Sequence, residues 1–429
     1  MADRRFGLET LCVHAGQIPD AVTGARAVPI HQSTSFVFDS ADHAASLFNL
    51  QTFGNVYSRL SNPTVAVLEE RVAALEGGRA AVASASGMAA EAMALMTILQ
   101  SGDHVVAAGA LYGGSVTMLS VNLKKFGIAV SFADVTQPES FAQALRPETR
   151  AVFVESLGNP SLALADISAL AEIAHAHGVP LVVDNTVPSP ALCNPIALGA
   201  DIVVHSATKY LGGHGTTLAG VVVESGKFPW DNGRFPGMTE PSAGYHGVRW
   251  YETFGDFGFT MRARMETLRV YGASLAPASA WQILQGIETL PLRMQRHCDN
   301  ALAVARFLRD DPRVSFVVYP GLDSHPQYGL AQRQMRGGSG LLAFGIRGGA
   351  QAGVRFIESA QLMSHLVNIG DTRTLVSHPA STTHRQLEPE QLAAAGVTPE
   401  LVRISVGLES LDDILWDIDQ ALDVAARGA

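Results

Sequence analysis

Short apolar runs that never alternate with polar residues set the tightest limit on what this chain can fold into. AAVAS at residues 80–84, HVVAAG at 104–109, AVFVES at 151–156, VPLVVDN at 179–185 and ADIVVHS at 200–206 are Val- and Ala-rich throughout. A strand with one wet face alternates apolar and polar residues, so these strands are covered on both faces. Helical patterns lie between them, as in SGMAAEAMALMTIL, LYGGSVTMLSVNLKKFG and NPSLALADISALAEIAHAHGV. Strand–helix alternation of this kind reads as a mostly parallel, doubly wound α/β sheet. Within Asp166–Gly178, Ile167, Leu170, Ala171 and Ala174 fall on one helical face, and Gly178 stops the helix.

A chain of 429 residues is too long for one simple core. Residues 1–62 show little periodicity and read as an extended arm. From Pro63 the pattern is helical, with Gly77 and Gly78 as its stop. Residues 63–285 form the expected large domain. Inside it, residues 224–259 hold nine of the 30 aromatic residues, which suits a packed excursion over a site or an interface. A long helical stretch over Leu268–Leu308 is interrupted by Pro277 and Pro291. Residues 286–429, with GLLAFGI and LVRISVG, form a smaller C-terminal α/β domain.

Composition excludes several classes of function. Hydrophobic residues at 47% and charged ones at 16% mark a well-buried globular chain. The net charge of −10, with no run of Lys or Arg, argues against nucleic acid and anionic membranes as partners. The N-terminus lacks the apolar stretch of a secretory signal, and the longest apolar run, Met88–Leu99, is short and contains Glu91. Cys12, Cys193 and Cys298 are far apart and suit a reducing cytoplasm rather than a disulfide framework or zinc site. His175 and His177 read as solvated helix residues, and no metal is expected.

The chemistry gathers at strand ends, where open parallel sheets bind their ligands. Asp184 closes PLVVD, and Tyr112 follows HVVAAG. Ser86-Gly87-Met88 would open a helix whose free N–H groups suit a phosphate, although Ser-Gly is also an ordinary helix cap. DIVVHSATK ends in Ser206, Thr208 and Lys209 before spilling into glycines. A carboxylate such as Asp184 needs a cationic partner in that setting. A pyridinium nitrogen at roughly 4 Å would gain about 4 kcal/mol at an effective dielectric near 20, enough to stay protonated. A lysine beside phosphate-seating hydroxyls can bond to an aldehyde and later carry protons. Pyridoxal phosphate is the cofactor that needs an aldehyde partner, a phosphate seat and a ring-nitrogen acid together.

SATKYLGGHG, VVDNT, YSRLSNPT, ASGMAA and HPASTTH resemble the cysteine/methionine-metabolism group of pyridoxal phosphate enzymes, which includes cystathionine synthases and lyases. The likeness runs from TLCVHAGQ to VRISVGLES. It implies the aminotransferase-like fold (fold type I), with Lys209 as the Schiff-base lysine and Asp184 on the ring nitrogen. It further implies phosphate contacts from Gly87, Met88, Ser206 and Thr208, Tyr112 stacked on the ring, and Asn159 near the phenolic oxygen. Tyr57 and Arg59 would reach the phosphate of a neighbouring subunit in a homotetramer, and Arg403 would clamp the substrate α-carboxylate.

Two features look like the O-acetylhomoserine sulfhydrylases within that group: the aromatic excursion, and NIGDTR with Asp371 and Arg373. Arg373 would make a second ammonium group on the nucleophile unwelcome and so favour sulfide or methanethiol. An ordinary interface role for Arg373 stays open. The implied reaction is γ-replacement on an amino-acid ester, with Lys209 moving the α-proton and Tyr112 and Tyr57 assisting. Cystathionine γ-synthase or γ-lyase activity, an aminotransferase and an idle pyridoxal-binding protein remain as alternatives.

Overall fold

A computed structural model describes Arg4, residues 6–382 and residues 396–427. The last residues of HPASTTH, Thr383 and His384, lie outside the described residues. Seven strands form the larger sheet: β1 (Ala80–Ser84), β2 (His104–Ala108), β3 (Ala129–Ala133), β4 (Thr149–Glu155), β5 (Leu181–Asp184), β6 (Ile202–Ser206) and β7 (Gly220–Glu224). Their spatial order is β1-β7-β6-β5-β4-β2-β3. β2 pairs in parallel with β3 and β4, β4 with β5, and β5 with β6. β7 runs antiparallel between β1 and β6. β2, β4 and β6 are buried or nearly so along their length, as apolar runs covered on both faces require.

β3 and β7 lie outside the apolar runs singled out from sequence. β3 is the sheet's edge, and its residues are mostly partly or fully exposed, so AVSFA lacks the signature of a buried strand. β7 is fully buried, but it begins at a glycine for a steric reason. A Cβ on Gly220 would lie 2.0 Å from the Ser86 carbonyl oxygen.

Five strands form the second sheet: β8 (Val314–Val318), β9 (Leu341–Ile346), β10 (Ser364–His365), β11 (Leu375–Ser377) and β12 (Leu401–Ser405), in the order β10-β11-β12-β9-β8. β12 is central and antiparallel to both neighbours, with Arg403 opposite Ala343 and Ser377. Helices Gly349–Ser359 and Leu411–Ala426 pack together beside this sheet, and Phe356, Ile414 and Ile418 belong to its core.

The helix over Pro63–Glu76 ends at Gly77 in the left-handed region, at φ 71°, where a glycine avoids the Cβ clash. Ile167, Leu170, Ala171 and Ala174 are the buried face of Ile167–Ala176. The first 62 residues are not extended throughout. Helices Leu8–His14 and Ala41–Phe48 interrupt them, the second capped by Ser40. Pro277 and Pro291 do not break a helix; each stands in the first turn of its own, Pro277–Glu288 and Leu290–Asp310. No i−4 carbonyl waits for their missing N–H there.

The aromatic excursion is packed. Trp230 stacks on Phe259 with centroids 5.6 Å apart and meets Phe228 and Phe235 edge-on. The buried Glu224 carboxylate accepts from the Thr260 N–H at 2.8 Å and its hydroxyl at 2.7 Å, fastening the excursion's far end to β7.

Candidate active site

The carboxyl ends of the parallel strands frame one cavity. β4 delivers Glu155, β5 delivers Asp184 and β6 delivers Ser206, while Ser84 and Ser206 both pair with Gly220 at the same edge. The cavity is lined by Gly87, Met88, Tyr112, Asn159, Asp184, Ser206, Thr208, Lys209 and Arg403. Nine residues singled out from the sequence and its family resemblance therefore meet in one place.

Gly87 opens the Gly87–Met96 helix, and the Ser86 hydroxyl caps it by accepting from the Ala89 N–H. A Cβ on Gly87 would lie 2.5 Å from the Ser206 Cβ, so only glycine lets this helix start against β6. The unpaired N–H groups of its first turn then stand beside the Ser206 and Thr208 side chains, an anion seat. Gly114 has a similar role for Tyr112: a Cβ there would lie 2.5 Å from the Tyr112 ring.

Asp184 accepts from the Thr186 N–H at 2.8 Å, and the Thr186 hydroxyl oxygen accepts from the Ser206 N–H at 2.8 Å. These bonds knit the ends of β5 and β6. Burial raises the Asp184 carboxyl, opposed by the Thr186 bonds and by His205. His205 lies buried against Glu76, its Nε2 2.6 Å from Oε1.

Lys209 Nζ donates to Asn368 Oδ1 at 2.5 Å. Burial, and then the charge of Arg403, bring its ammonium down to about 8. Arg403 donates through Nη1 to Asn159 Oδ1 and through Nη2 to the Asn368 carbonyl, each at 3.0 Å. Its Nε is buried and has no partner among the described residues.

Arg373, expected at the site, does not line this cavity. The Arg373 side chain is 69% exposed and bonds to its own neighbour, Asp371 Oδ1, at 3.2 Å. Tyr57 is exposed, with the Arg59 guanidinium 5.1 Å from its ring centre, and neither lines the cavity of its own chain. The aromatic excursion also contributes no lining residue. His175 bonds to Asp201 and His177 to the Arg146 carbonyl.

Sequence reasoning passed over Glu155, Thr186, Asn368 and Glu91, all on the cavity wall. Glu155 ends its strand just as Asp184 does and was open to the same argument. Glu91 was noticed only as a charge interrupting an apolar run. Asn368 carries no signal beyond its place at the head of NIGD.

The cavity fits pyridoxal phosphate on its own geometry. A tight glycine opens a helix beside Ser206, and a carboxylate (Asp184), a buried lysine amine and an unsatisfied guanidinium nitrogen share the space. Comparison with known proteins agrees. An O-acetyl-L-homoserine sulfhydrylase of Leptospira meyeri is 51% identical, with 98% of this chain and 97% of that one covered. An O-acetyl-L-homoserine sulfhydrylase of Thermus thermophilus is also 51% identical, over 96% of this chain and 99% of the relative. A Campylobacter jejuni crystal structure that carries an N′-pyridoxyl-lysine 5′-monophosphate superposes with a TM-score of 0.95 at 40% identity, covering 97% of this chain and all of that one. The family model for Cys/Met metabolism PLP-dependent enzymes matches residues 9–423, and the chain belongs to that family.

Proposed function

We propose that this protein catalyses γ-replacement: O-acetyl-L-homoserine and sulfide give L-homocysteine and acetate, and methanethiol in place of sulfide gives methionine. The observation that carries this reading is the 51% identity, over nearly the whole chain, to proteins named O-acetyl-L-homoserine sulfhydrylase. Pyridoxal phosphate supplies the electron sink that lets a proton leave the α-carbon and acetate leave the γ-carbon.

The chain's own residues do the rest. Gly87 and Met88 N–H groups with the Ser206 and Thr208 hydroxyls hold the phosphate, and Asp184 faces the ring nitrogen. Tyr112 would stack on the ring, and Asn159 would stand near the phenolic oxygen. Arg403 takes the substrate α-carboxylate with its bidentate fork. Burial and Arg403 bring the Lys209 ammonium down to about 8, which favours the neutral amine that would move the α-proton, with Tyr112 and Tyr57 assisting. Tyr57 and Arg59 act on the phosphate of a neighbouring subunit, within a homotetramer built as a dimer of dimers. Leu218 and Val367 line the cavity and are exposed, so its mouth offers little to the second ammonium and carboxylate of cysteine. That favours a small uncharged nucleophile over the cystathionine γ-synthase alternative.

Three cysteines, buried and free, suit a reducing cytoplasm. Among the described residues no helix is long and apolar enough to cross a membrane.

The test is product identification. Purified protein with O-acetyl-L-homoserine and sulfide should form homocysteine, and with cysteine in place of sulfide little cystathionine. Cystathionine as the dominant product, or ester-independent release of ammonia from methionine, would replace this reading with the alternatives. Lys209→Ala should lose both the yellow colour of the bound cofactor and turnover.

A further inference from the structure

Three carboxyls converge on one wall of the cavity: Asp184, Glu155 and Glu91. Their hydrogen bonds are unequal. Asp184 accepts from the Thr186 N–H at 2.8 Å and Glu155 from the Tyr112 N–H at 2.5 Å. Glu91, on the Gly87–Met96 helix, accepts only the Ser115 hydroxyl at Oε1, at 3.0 Å, among the described residues. Its Oε2 is buried without a partner, and the residue is 3% exposed.

A carboxylate oxygen in that position would be desolvated with nothing to stabilise its charge. A carboxylic acid fits better: Oε1 is the carbonyl oxygen that takes the Ser115 hydroxyl, and Oε2 carries the proton. The charges that bear on Glu91 are those of Asp184 and Glu155, both negative. Burial first, and then Asp184, hold the Glu91 carboxyl well above the usual range, while Glu91 in turn draws Asp184 down. The Glu91 and Asp184 side chains lie within hydrogen-bonding reach of each other, and two carboxyls so placed in a dry site share a proton, the better-solvated partner staying ionised. Asp184, with its Thr186 bonds, is that partner.

We propose that Glu91 is a protonated positioning residue whose carboxylic acid O–H donates to Asp184 and holds that carboxylate facing the cofactor's ring nitrogen. The proposal rests on Asp184 being the ring-nitrogen partner. The pair then presents one negative charge to one cationic nitrogen, not two. Ser115 fixes the acid's orientation and lies three residues after Tyr112, so the same contact braces the segment carrying the stacking ring.

Glu91→Gln keeps the shape and places an N–H donor where Oε2 stands, whereas Glu91→Leu keeps the bulk and removes the donor. The cofactor-stripped proteins are titrated with pyridoxal phosphate, and infrared difference spectra are taken between wild type and Glu91→Gln. Glu91→Gln should bind within about twofold of wild type and Glu91→Leu about tenfold more weakly, the scale of one hydrogen bond to a charged group. Wild type should show a protonated-carboxyl band that Glu91→Gln lacks. Glu91→Gln weakening the cofactor by tenfold, or no acid band lost, overturns the proposal; should Glu91→Leu fail to fold, those two readings still decide it. Asp184→Asn is the separate control, since unchanged cofactor affinity there would remove the ring-nitrogen assignment and not the acid itself.

Discussion

The Asn368 side chain accepts from Lys209 Nζ at 2.5 Å while its backbone carbonyl accepts from Arg403 Nη2 at 3.0 Å. One residue thus holds the Lys209 amine and the Arg403 guanidinium in fixed relation, 159 and 35 positions from its own place in the chain. Asn368→Ala removes the side-chain contact and keeps the carbonyl. Hydrogen bonds to charged groups contribute about 1.5–3 kcal/mol, so kcat should fall roughly 10- to 100-fold. The ester KM should change far less, because Arg403 keeps its backbone anchor. Steady-state kinetics that move KM and leave kcat alone would reassign Asn368 to substrate binding.

The lowered Lys209 ammonium gives a pH dependence of defined sign. Burial disfavours the charged amine, and Arg403 adds repulsion, so the folded protein releases this proton at about 8 instead of 10.5. Only the neutral amine attacks an aldehyde. In cofactor-stripped protein, the rate of covalent loading should rise with pH and level off above about 9, with roughly a tenfold gain between pH 7 and the plateau. Stopped-flow absorbance of the loading reaction measures it directly. A rate still climbing toward pH 10.5 would mean the amine is not shifted.

Gly87→Ala tests the proposed phosphate seat without touching a polar group. The added methyl would meet the Ser206 Cβ at 2.5 Å, so the Gly87–Met96 helix must back away from β6. Overpacking of this kind costs about 1–3 kcal/mol, and the displaced first turn should weaken cofactor binding about tenfold or more. Fluorescence titration of the stripped protein separates the binding loss from the drop in melting temperature.

Much of this site was legible because its residues close apolar strands. Asp184 after LVV and Lys209 after DIVVHSAT are hard to explain as structure, and the cavity lies where parallel strands end. Asn368 was not legible, since its role comes from a loop beside β12 meeting the carboxyl end of β6 across a long sequence separation. Arg373 is a different case: its motif suggested it for the site, but its side chain is largely exposed beside Asp371 and does not line the cavity. β3 escaped detection because edge strands do not need apolar residues on both faces. The helices inside the first 62 residues were short, and short helices carry too few turns for a periodic signal.

Arg403→Lys asks whether the guanidinium is used for its shape or merely for its charge. β12 is the centre of its sheet, so the backbone position is firm, and the side chain crosses to Asn159 on the other unit of structure. In the resting site the two Nη atoms are engaged, and Nε is buried without a partner among the described residues. A substrate carboxylate can meet the guanidinium with two parallel N–H···O bonds, an arrangement that a lysine ammonium cannot reproduce. Losing one charge-assisted bond of about 1.5–3 kcal/mol should raise the ester KM roughly 10- to 100-fold. Cofactor affinity should fall far less than this, because the proposed phosphate contacts and Asp184 do not involve Arg403. The sulfide KM should also hold, since that nucleophile has no carboxylate to clamp. If sulfide and ester KM rise together, Arg403 organises the whole cavity and not the α-carboxylate alone.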